Sequence, residues 1–254
     1  MYFVNYFNNQ NKMVTKKAAR NIRKIHRYLG LFLGIQFLFW TISGMYFSWT
    51  DIDDIHGDHF KKESPEMAHF TDLLSPSALD SRLTIQNISL REINATPYYW
   101  INKEYLYNAH TGELKKGITE KEALSVAQRV IKSDLKVKDI TLITETDEHH
   151  EYRERLLPAY VISYEDPSDV KVYISANDGA YQTVRHNAWR WFDFLWMTHT
   201  MDYDTRDDFN TWVLRGFSLL GLITVLSGFL LWYISSPTIR RIKKRIRAAF
   251  QRSN

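Results

Sequence analysis

LGLFLGIQFLFWTISGMYFSW, residues 29–49, is a run of 21 residues without a charged side chain. At ~1.5 Å of rise per residue, a helix of that length crosses a hydrocarbon core of ~30 Å. A second run, GFSLLGLITVLSGFLLWYI at residues 216–234, has 19 residues and the same character. Basic flanks adjoin both. Lys12, Lys16, Lys17, Arg20, Arg23, Lys24 and Arg27 precede the first run, and Arg240, Arg241, Lys243, Lys244, Arg245, Arg247 and Arg252 follow the second, with no acid among either set. Removing those 14 cations from the 33 Lys and Arg leaves 19 against 29 Asp and Glu, so the intervening chain carries about −10. Short positive flanks set orientation, which predicts two membrane-spanning helices, both termini cytoplasmic and an exported acidic middle.

Whole-chain averages conceal this. A hydrophobic content of 44% and a mean hydropathy of −0.37 describe an ordinary soluble protein, because two short spans are diluted by a long polar middle. The bland alternative, a buried helical hairpin, fits poorly with two uncharged runs bearing matched basic flanks. Trp40, Tyr46, Trp49, Trp212, Trp232 and Tyr233 fall mostly near the span ends, where amphipathic rings favour the interface. A cleaved signal peptide would have an apolar core of only ~7–15 residues and a small-residue cleavage site, so the first span reads as an uncleaved signal anchor. The absence of cysteine excludes disulfides, iron–sulfur clusters, thiolate zinc sites and covalently attached c-type haem. The isoelectric point of about 9.0 belongs to the tails, which suit anionic membrane lipids and give no indication of nucleic acid.

The exported middle contains a weak internal repeat. Tyr105-Leu106-Tyr107-Asn108-Ala109-His110-Thr111-Gly112 aligns with Tyr173-Ile174-Ser175-Ala176-Asn177-Asp178-Gly179, each reading as a strand followed by an Ala-x-x-Gly turn and a second strand. Ahead of the second copy, residues 119–133 read as a helix in which Thr119 and Glu122 form a capping box. Ala123, Leu124, Ala127, Val130 and Ile131 make its apolar face. Ser75-Pro76-Ser77-Ala78-Leu79 is a shorter helix start ahead of the first copy. Residues 140–144, 159–164 and 170–174 are β-branched and aromatic, so each half is a helix followed by antiparallel strands and the domain is α+β. After the second span, Ser235-Ser236-Pro237 starts a basic amphipathic helix in which Ile239, Ile242, Ile246 and Phe250 recur at helical spacing, suited to a membrane surface. Residues 1–11 carry no readable signal.

In this arrangement the chain resembles the PepSY-associated transmembrane family, bacterial inner-membrane proteins whose transmembrane helices flank periplasmic PepSY domains. The resemblance covers roughly residues 20–237. It rests on IHRYLG at 25–30, TISG at 41–44, the helix near 120–130 with its Ala-x-x-Gly turn, and WMTH at 196–199 ahead of LSG at 226–228. It implies an inner-membrane protein with this segmentation: 1–28 cytoplasmic and basic, 29–49 the first transmembrane helix, and 50–188 periplasmic with two PepSY-like units. Residues 189–211 form an aromatic interfacial segment, 212–234 the second transmembrane helix, and 235–254 the cytoplasmic amphipathic helix. Larger relatives have four or more spans and include haem-containing reductases acting on siderophore-bound iron, whereas this chain has two.

That resemblance gives the histidines a role. His26 stands before the first span and His199 before the second, inside an aromatic stretch, and both spans carry Ser-Gly ahead of a tryptophan: Ser43-Gly44 with Trp49, and Ser227-Gly228 with Trp232. The spans thus look like an inverted pair. Gly30 and Gly34 add a close-packing face suited to a helix or a porphyrin. His26 and His199 are the haem b axial candidates, but they flank faces ~30 Å apart and cannot share one iron. Either a homodimer pairs each with its mate in a four-helix bundle, or His199 pairs with His56, His59 or His186. Without haem, His26 would bond headgroups and His199 anchor an interfacial helix. Asp202, Asp204, Asp207 and Asp208 could offer iron a carboxylate landing site, or merely obey the outside charge rule. His56-Gly57-Asp58-His59 has ligand-type residues but no recognised metal spacing.

No nucleophilic triad, phosphate loop, or NAD or flavin fingerprint is present, so electrons would come from a quinol or a partner protein. Three functions follow: a haem-bearing electron-transfer subunit or ferric-siderophore reductase, a noncatalytic accessory subunit of a larger membrane complex, and regulation of a periplasmic protease.

Overall fold

The computed structural model describes residues 16–63, 69–80, 82–206 and 208–252. In chain order the elements are α1 (Lys16–Trp49), α2 (Ile52–Ile55), β1 (Ile88–Ile93), β2 (Thr96–Ile101), β3 (Tyr105–Asn108), β4 (Leu114–Lys115), α3 (Glu120–Val130), β5 (Val137–Ile143), β6 (Ala159–Tyr164), β7 (Lys171–Ser175), β8 (Tyr181–Arg185), α4 (Asn187–Thr200), α5 (Trp212–Ser235) and α6 (Pro237–Arg252). Short 3-10 turns occur at Asp58–Phe60 and Pro76–Ala78. The chain divides into two compact units, one made of residues up to 45 together with those from 197 onward, the other being Tyr46–Trp196.

In the helical unit, α1 has 34 residues and α5 has 24, about 51 and 36 Å at ~1.5 Å per residue. Both are long and apolar enough to cross a membrane. α1 begins 13 residues ahead of the uncharged run, inside the cationic flank, because residues 16–28 contain Lys, Arg and Ala and neither Gly nor Pro to stop a helix. The two helices pack antiparallel along a seam of α5 at Phe217, Gly221, Thr224 and Gly228, whose spacing of four, three and four keeps one helical face turned to α1. Phe217 stacks on Phe32 with centroids 5.5 Å apart. A side chain at Gly221 would meet the Phe37 ring at 3.4 Å, so the glycine sets how closely the helices approach. Outside the seam, Leu219, Leu222, Val225, Leu226 and Phe229 are exposed, the surface expected of a helix whose solvent is lipid. Ser236 ends α5 by donating to Trp232 O, and Pro237 opens α6. Ile242 and Ile246 of α6 are exposed.

The second unit holds two four-stranded antiparallel meanders, β1-β2-β3-β4 and β5-β6-β7-β8. The repeat extends well beyond the Ala-x-x-Gly turns. Ala109 N–H donates to Pro97 O at 2.9 Å and Ala176 N–H to Pro158 O at 3.0 Å. Leu74 N–H donates to Ala109 O and Ile118 N–H to Ala176 O, both at 2.8 Å. Gly112 (φ +76°) and Gly179 (φ +67°) close the two turns on Asn108 O and Ser175 O. In each copy the chain therefore enters beside the turn, starts a helix two residues later and returns as a meander. The first copy builds only the 3-10 turn Pro76–Ala78 where the second builds α3.

α3 carries the expected capping box, with Thr119 Oγ1 accepting from Glu122 N and the Glu122 carboxylate accepting from Thr119 N. Ala123, Val126 and Ala127 are its buried residues and seat it in the main core with Trp100, Leu106, Ile162, Val172 and Ile174. Two details depart from the sequence expectation. The helix stops at Val130 rather than 133, because Ile131 turns extended and pairs with Lys61, flanked by Lys62 N–H to Val130 O and Lys132 N–H to Phe60 O. Val126 is buried while Leu124 is only half-buried, since the apolar face is centred on the sheet and not on the widest stripe. β1 and β2 are two strands beyond those expected in the first half. β1 is mixed in polarity and mostly half-exposed, which weakens its alternation.

Gly117 has φ +70°, and a Cβ there would lie 2.7 Å from Ala176 O, the carbonyl that Ile118 binds. Gly117→Ala is expected to destabilise this unit by about 1–3 kcal/mol through backbone strain and that close approach, read as a lowered midpoint in chemical unfolding. An unchanged midpoint would show that the entry strand yields freely.

Candidate functional site

α1 presents Gln36, Trp40 and Ser43 on one face, spaced four and three residues apart. The last turn of α4 docks there. Gln36 Nε2 donates to Thr198 O at 3.0 Å, and Trp40 Nε1 donates to His199 O at 2.7 Å, satisfying carbonyls that the end of a helix leaves without intrahelical partners. With its backbone held, His199 places Nδ1 2.7 Å from Ser43 Oγ, and Ser43 is fully buried. A polar amide in the middle of an apolar span is itself a sign of function or packing, and Gln36 is the signal in the sequence that marks this face.

A second histidine–serine contact joins α1 to α5. His26 of α1 places Nδ1 2.7 Å from Ser227 Oγ of α5. The adjoining Gly228 gives the ring its space, for a Cβ there would stand 3.3 Å from His26 Cε1. Each histidine thus binds the serine of a span's Ser-Gly pair. Ser227 lies eight residues before the end of α5, so the His26 ring sits about two helical turns inside that end and not at the outer margin of the span. His26 and Ser43 are 17 residues apart on α1, which separates the two histidine levels by about 25 Å. That is less than the full hydrocarbon thickness expected from sequence, yet still far beyond the reach of one iron.

The other histidines belong to the α+β unit. His186 is buried, bonds Ile55 O through Nε2 at 3.2 Å and meets the His59 ring edge-on with centroids 5.4 Å apart. Burial pushes its pKa below the ordinary histidine value. His59 Nδ1 is 3.5 Å from Asp54 Oδ1, and the two line an open cleft of about 470 Å³ with His186 and Asn187. His56 follows α2 as its C-terminal cap. The structure thus brings His59 and His186 together, while the ring of His199 is engaged in the helical unit.

The acidic cluster after α4 is organised around one member. Asp202 is 3% exposed and accepts from Thr205 Oγ1 at 2.5 Å, Asp208 N at 2.8 Å, and Asp204 N and Thr205 N at 3.3 Å. Burial alone would raise its pKa, but these hydrogen bonds outweigh it and hold the carboxyl below its usual range. Its oxygens are committed to shaping the 201–211 loop. Asp204 and Asp208 are exposed, and Asp207 lies outside the described residues. Among the described residues, no three histidine or carboxylate side chains converge as a metal group.

Two apolar helices of spanning length, joined through an α+β unit of two meanders, define a membrane-anchored protein with a duplicated sheet domain. The family described as the PepSY-associated TM region matches residues 5–234, and the chain belongs to that family. Neither a curated protein nor a solved structure matches it significantly.

Haem fits the chemistry of this donor set. Each imidazole meets a serine hydroxyl through Nδ1, the kind of contact that orients metal-bound histidines. His26 and His199 would hold the iron, each at its own level.

Proposed function

We propose that this membrane protein is a haem b-binding transmembrane electron-transfer subunit. In this reading both termini are cytoplasmic, the α+β unit is periplasmic and the membrane is the bacterial inner membrane. The observation that carries it is the twin histidine–serine contact, one near each end of the helix pair and each made to the serine of a Ser-Gly pair. A second copy of the chain supplies the second imidazole at each level, giving a four-helix bundle with two sites about 25 Å apart. A Cβ at Gly30, Gly34 or Gly44 would meet nothing within 4 Å, so these faces of α1 have room for a flat ring or another helix. When bound, haem supplies one-electron redox chemistry. The chain's own part is to orient the imidazoles, exclude water with apolar helix faces and keep the two levels apart. Electrons would come from a quinol or a partner protein, and iron chelates on the periplasmic side are the proposed acceptors.

Protein purified in mild detergent from haem-replete cells is expected to show a Soret band and dithionite-sensitive α and β bands of bis-histidine haem b. Haem-free protein recovered at normal yield would defeat the reading. Topology is tested separately by reporter fusions at Lys16, Asp147 and Arg247, with only the Asp147 fusion expected to be active outside the cytoplasm. An exported-active terminus would reverse the orientation. The cations of α6 would then no longer face the anionic inner leaflet on which the helix is proposed to lie.

A second reading, a noncatalytic accessory subunit, is favoured by an open cleft of about 570 Å³ in the α+β unit. Trp100, Tyr105, Lys116 and Tyr160 line it, and the exposed Leu114 and Leu142 border it from the edge strands β4 and β5. A partner-binding role would need that cleft and no haem.

A further inference from the structure

We propose that Ser43 and Ser227 are positioning residues that select the metal-ligating tautomer of His199 and His26. The purpose of this device rests on the haem reading above, but its test does not. A serine hydroxyl has one hydrogen to give. Ser227 gives it to Thr224 O at 2.7 Å, and Ser43 gives it to Phe39 O at 2.7 Å with Trp40 O at 3.3 Å. Each oxygen's remaining contact is with Nδ1 of its histidine at 2.7 Å, so there the hydroxyl accepts and Nδ1–H donates. In a neutral imidazole that leaves the lone pair on Nε2. Both sites reach this result on different helices, Ser43 on α1 and Ser227 on α5, which makes a chance side-chain placement a poor explanation.

The helix supplies the reason that serine does this work. A buried hydroxyl in an apolar span finds its acceptor in the carbonyl three or four residues back, whose second lone pair is accessible beside the intrahelical bond. Once its hydrogen is spent there, the hydroxyl has only acceptor capacity left, and a neighbouring imidazole must present N–H to it. Free histidine in water prefers the proton on Nε2, the tautomer that cannot ligate through that atom. The two serines therefore pre-set the protonation pattern that a metal requires and fix the ring orientation at the same time.

The test uses the full chain with ¹⁵N-labelled histidine in detergent micelles, prepared without haem, and reads the tautomer of His26 and His199 from their ring-nitrogen shifts. Wild type is expected to show Nδ1–H at both. Ser227→Ala is expected to move His26 alone to Nε2–H, and Ser43→Ala to move His199 alone, while the Thr variants keep the wild-type pattern because the hydroxyl is retained. On haem titration, each Ala variant should weaken binding at its own level by about 10–100-fold, with recovery in the Thr variant. Nε2–H in the wild type, or tautomers and haem affinity unmoved by the Ala substitutions, would overturn the proposal. Wild-type protein with both Nδ1–H tautomers that takes up no haem would instead overturn the haem reading and leave the serine assignment standing.

Discussion

His199→Ala is expected to halve the haem content of the purified protein, and His26→Ala to remove the other half. The two histidine levels are about 25 Å apart along α1, so no iron can be shared between them. In a two-fold dimer, each level pairs one histidine with its symmetry mate. A dimer then holds two haems, and losing either histidine empties one. Neither substitution alters the apolar length of α1 or α5, so insertion into the membrane should be unchanged. Haem per chain, from the reduced spectrum against amino-acid analysis, is the measurement. Complete loss in His199→Ala with little change in His26→Ala would replace the dimer with a single site in one chain. Full retention in both would remove these residues as ligands.

Glu151→Ala is expected to destabilise the α+β unit strongly for a substitution outside its apolar core. The carboxylate accepts from Tyr173 Oη and from Arg190 Nε, both at 2.6 Å, with Lys171 Nζ at 3.6 Å, and its side chain is 13% exposed. Its backbone carbonyl also receives Arg185 Nε at 2.9 Å, and that guanidinium lies 3.8 Å from the Trp189 ring centre. Burial would raise the Glu151 pKa, but the hydrogen bonds from Arg190 and Tyr173 and the nearby Lys171 charge outweigh it, so the net shift is downward. Removing the carboxylate leaves Arg190 and Lys171 only the more exposed Asp169, at 3.1 and 4.0 Å, and strands the Tyr173 hydroxyl, a loss of about 2–3 kcal/mol, below the ~3–5 of a fully buried pair. Against a total stability of about 5–15 kcal/mol, that is enough to lower the unfolding midpoint substantially.

The pH dependence has a definite sign. A group whose folded pKa is depressed contributes stability above its unfolded value, here near 4.5, and loses it as pH falls through the folded value. The gap between wild type and Glu151→Gln in thermal midpoint should therefore be widest at neutral pH and close in acid. A gap that widened on acidification would show that Glu151 is not held as the anion.

Much of this architecture is legible in the amino-acid sequence, wherever the cause is local. Two uncharged runs with basic flanks specify the spans because transfer into hydrocarbon depends on the residues of the run itself. The capping box of α3 and the positive φ of Gly112 and Gly179 are equally local, since one turn of chain contains both partners. His26 and His199 stand out by residue type and position, and the Ser-Gly pairs by repetition.

The tertiary structure decided what depends on partners distant in sequence. Ser43 and His199 are 156 residues apart and Ser227 and His26 are 201 apart, so no window of sequence contains either pair, and the serines mark only an inverted repeat until the helices come together. The depth of His26 against α5, the capping of α4 by Gln36 and Trp40, and the early end of α3 where Ile131 pairs with Lys61 have the same origin. Asp202 shows it most simply: composition makes it one of four equal acids, and only the folding of the loop turns its oxygens inward onto the backbone. Hydrophobicity, charge and turn chemistry act over a few residues and are legible in order along the chain, whereas a hydrogen bond between helices exists only once packing has set their register.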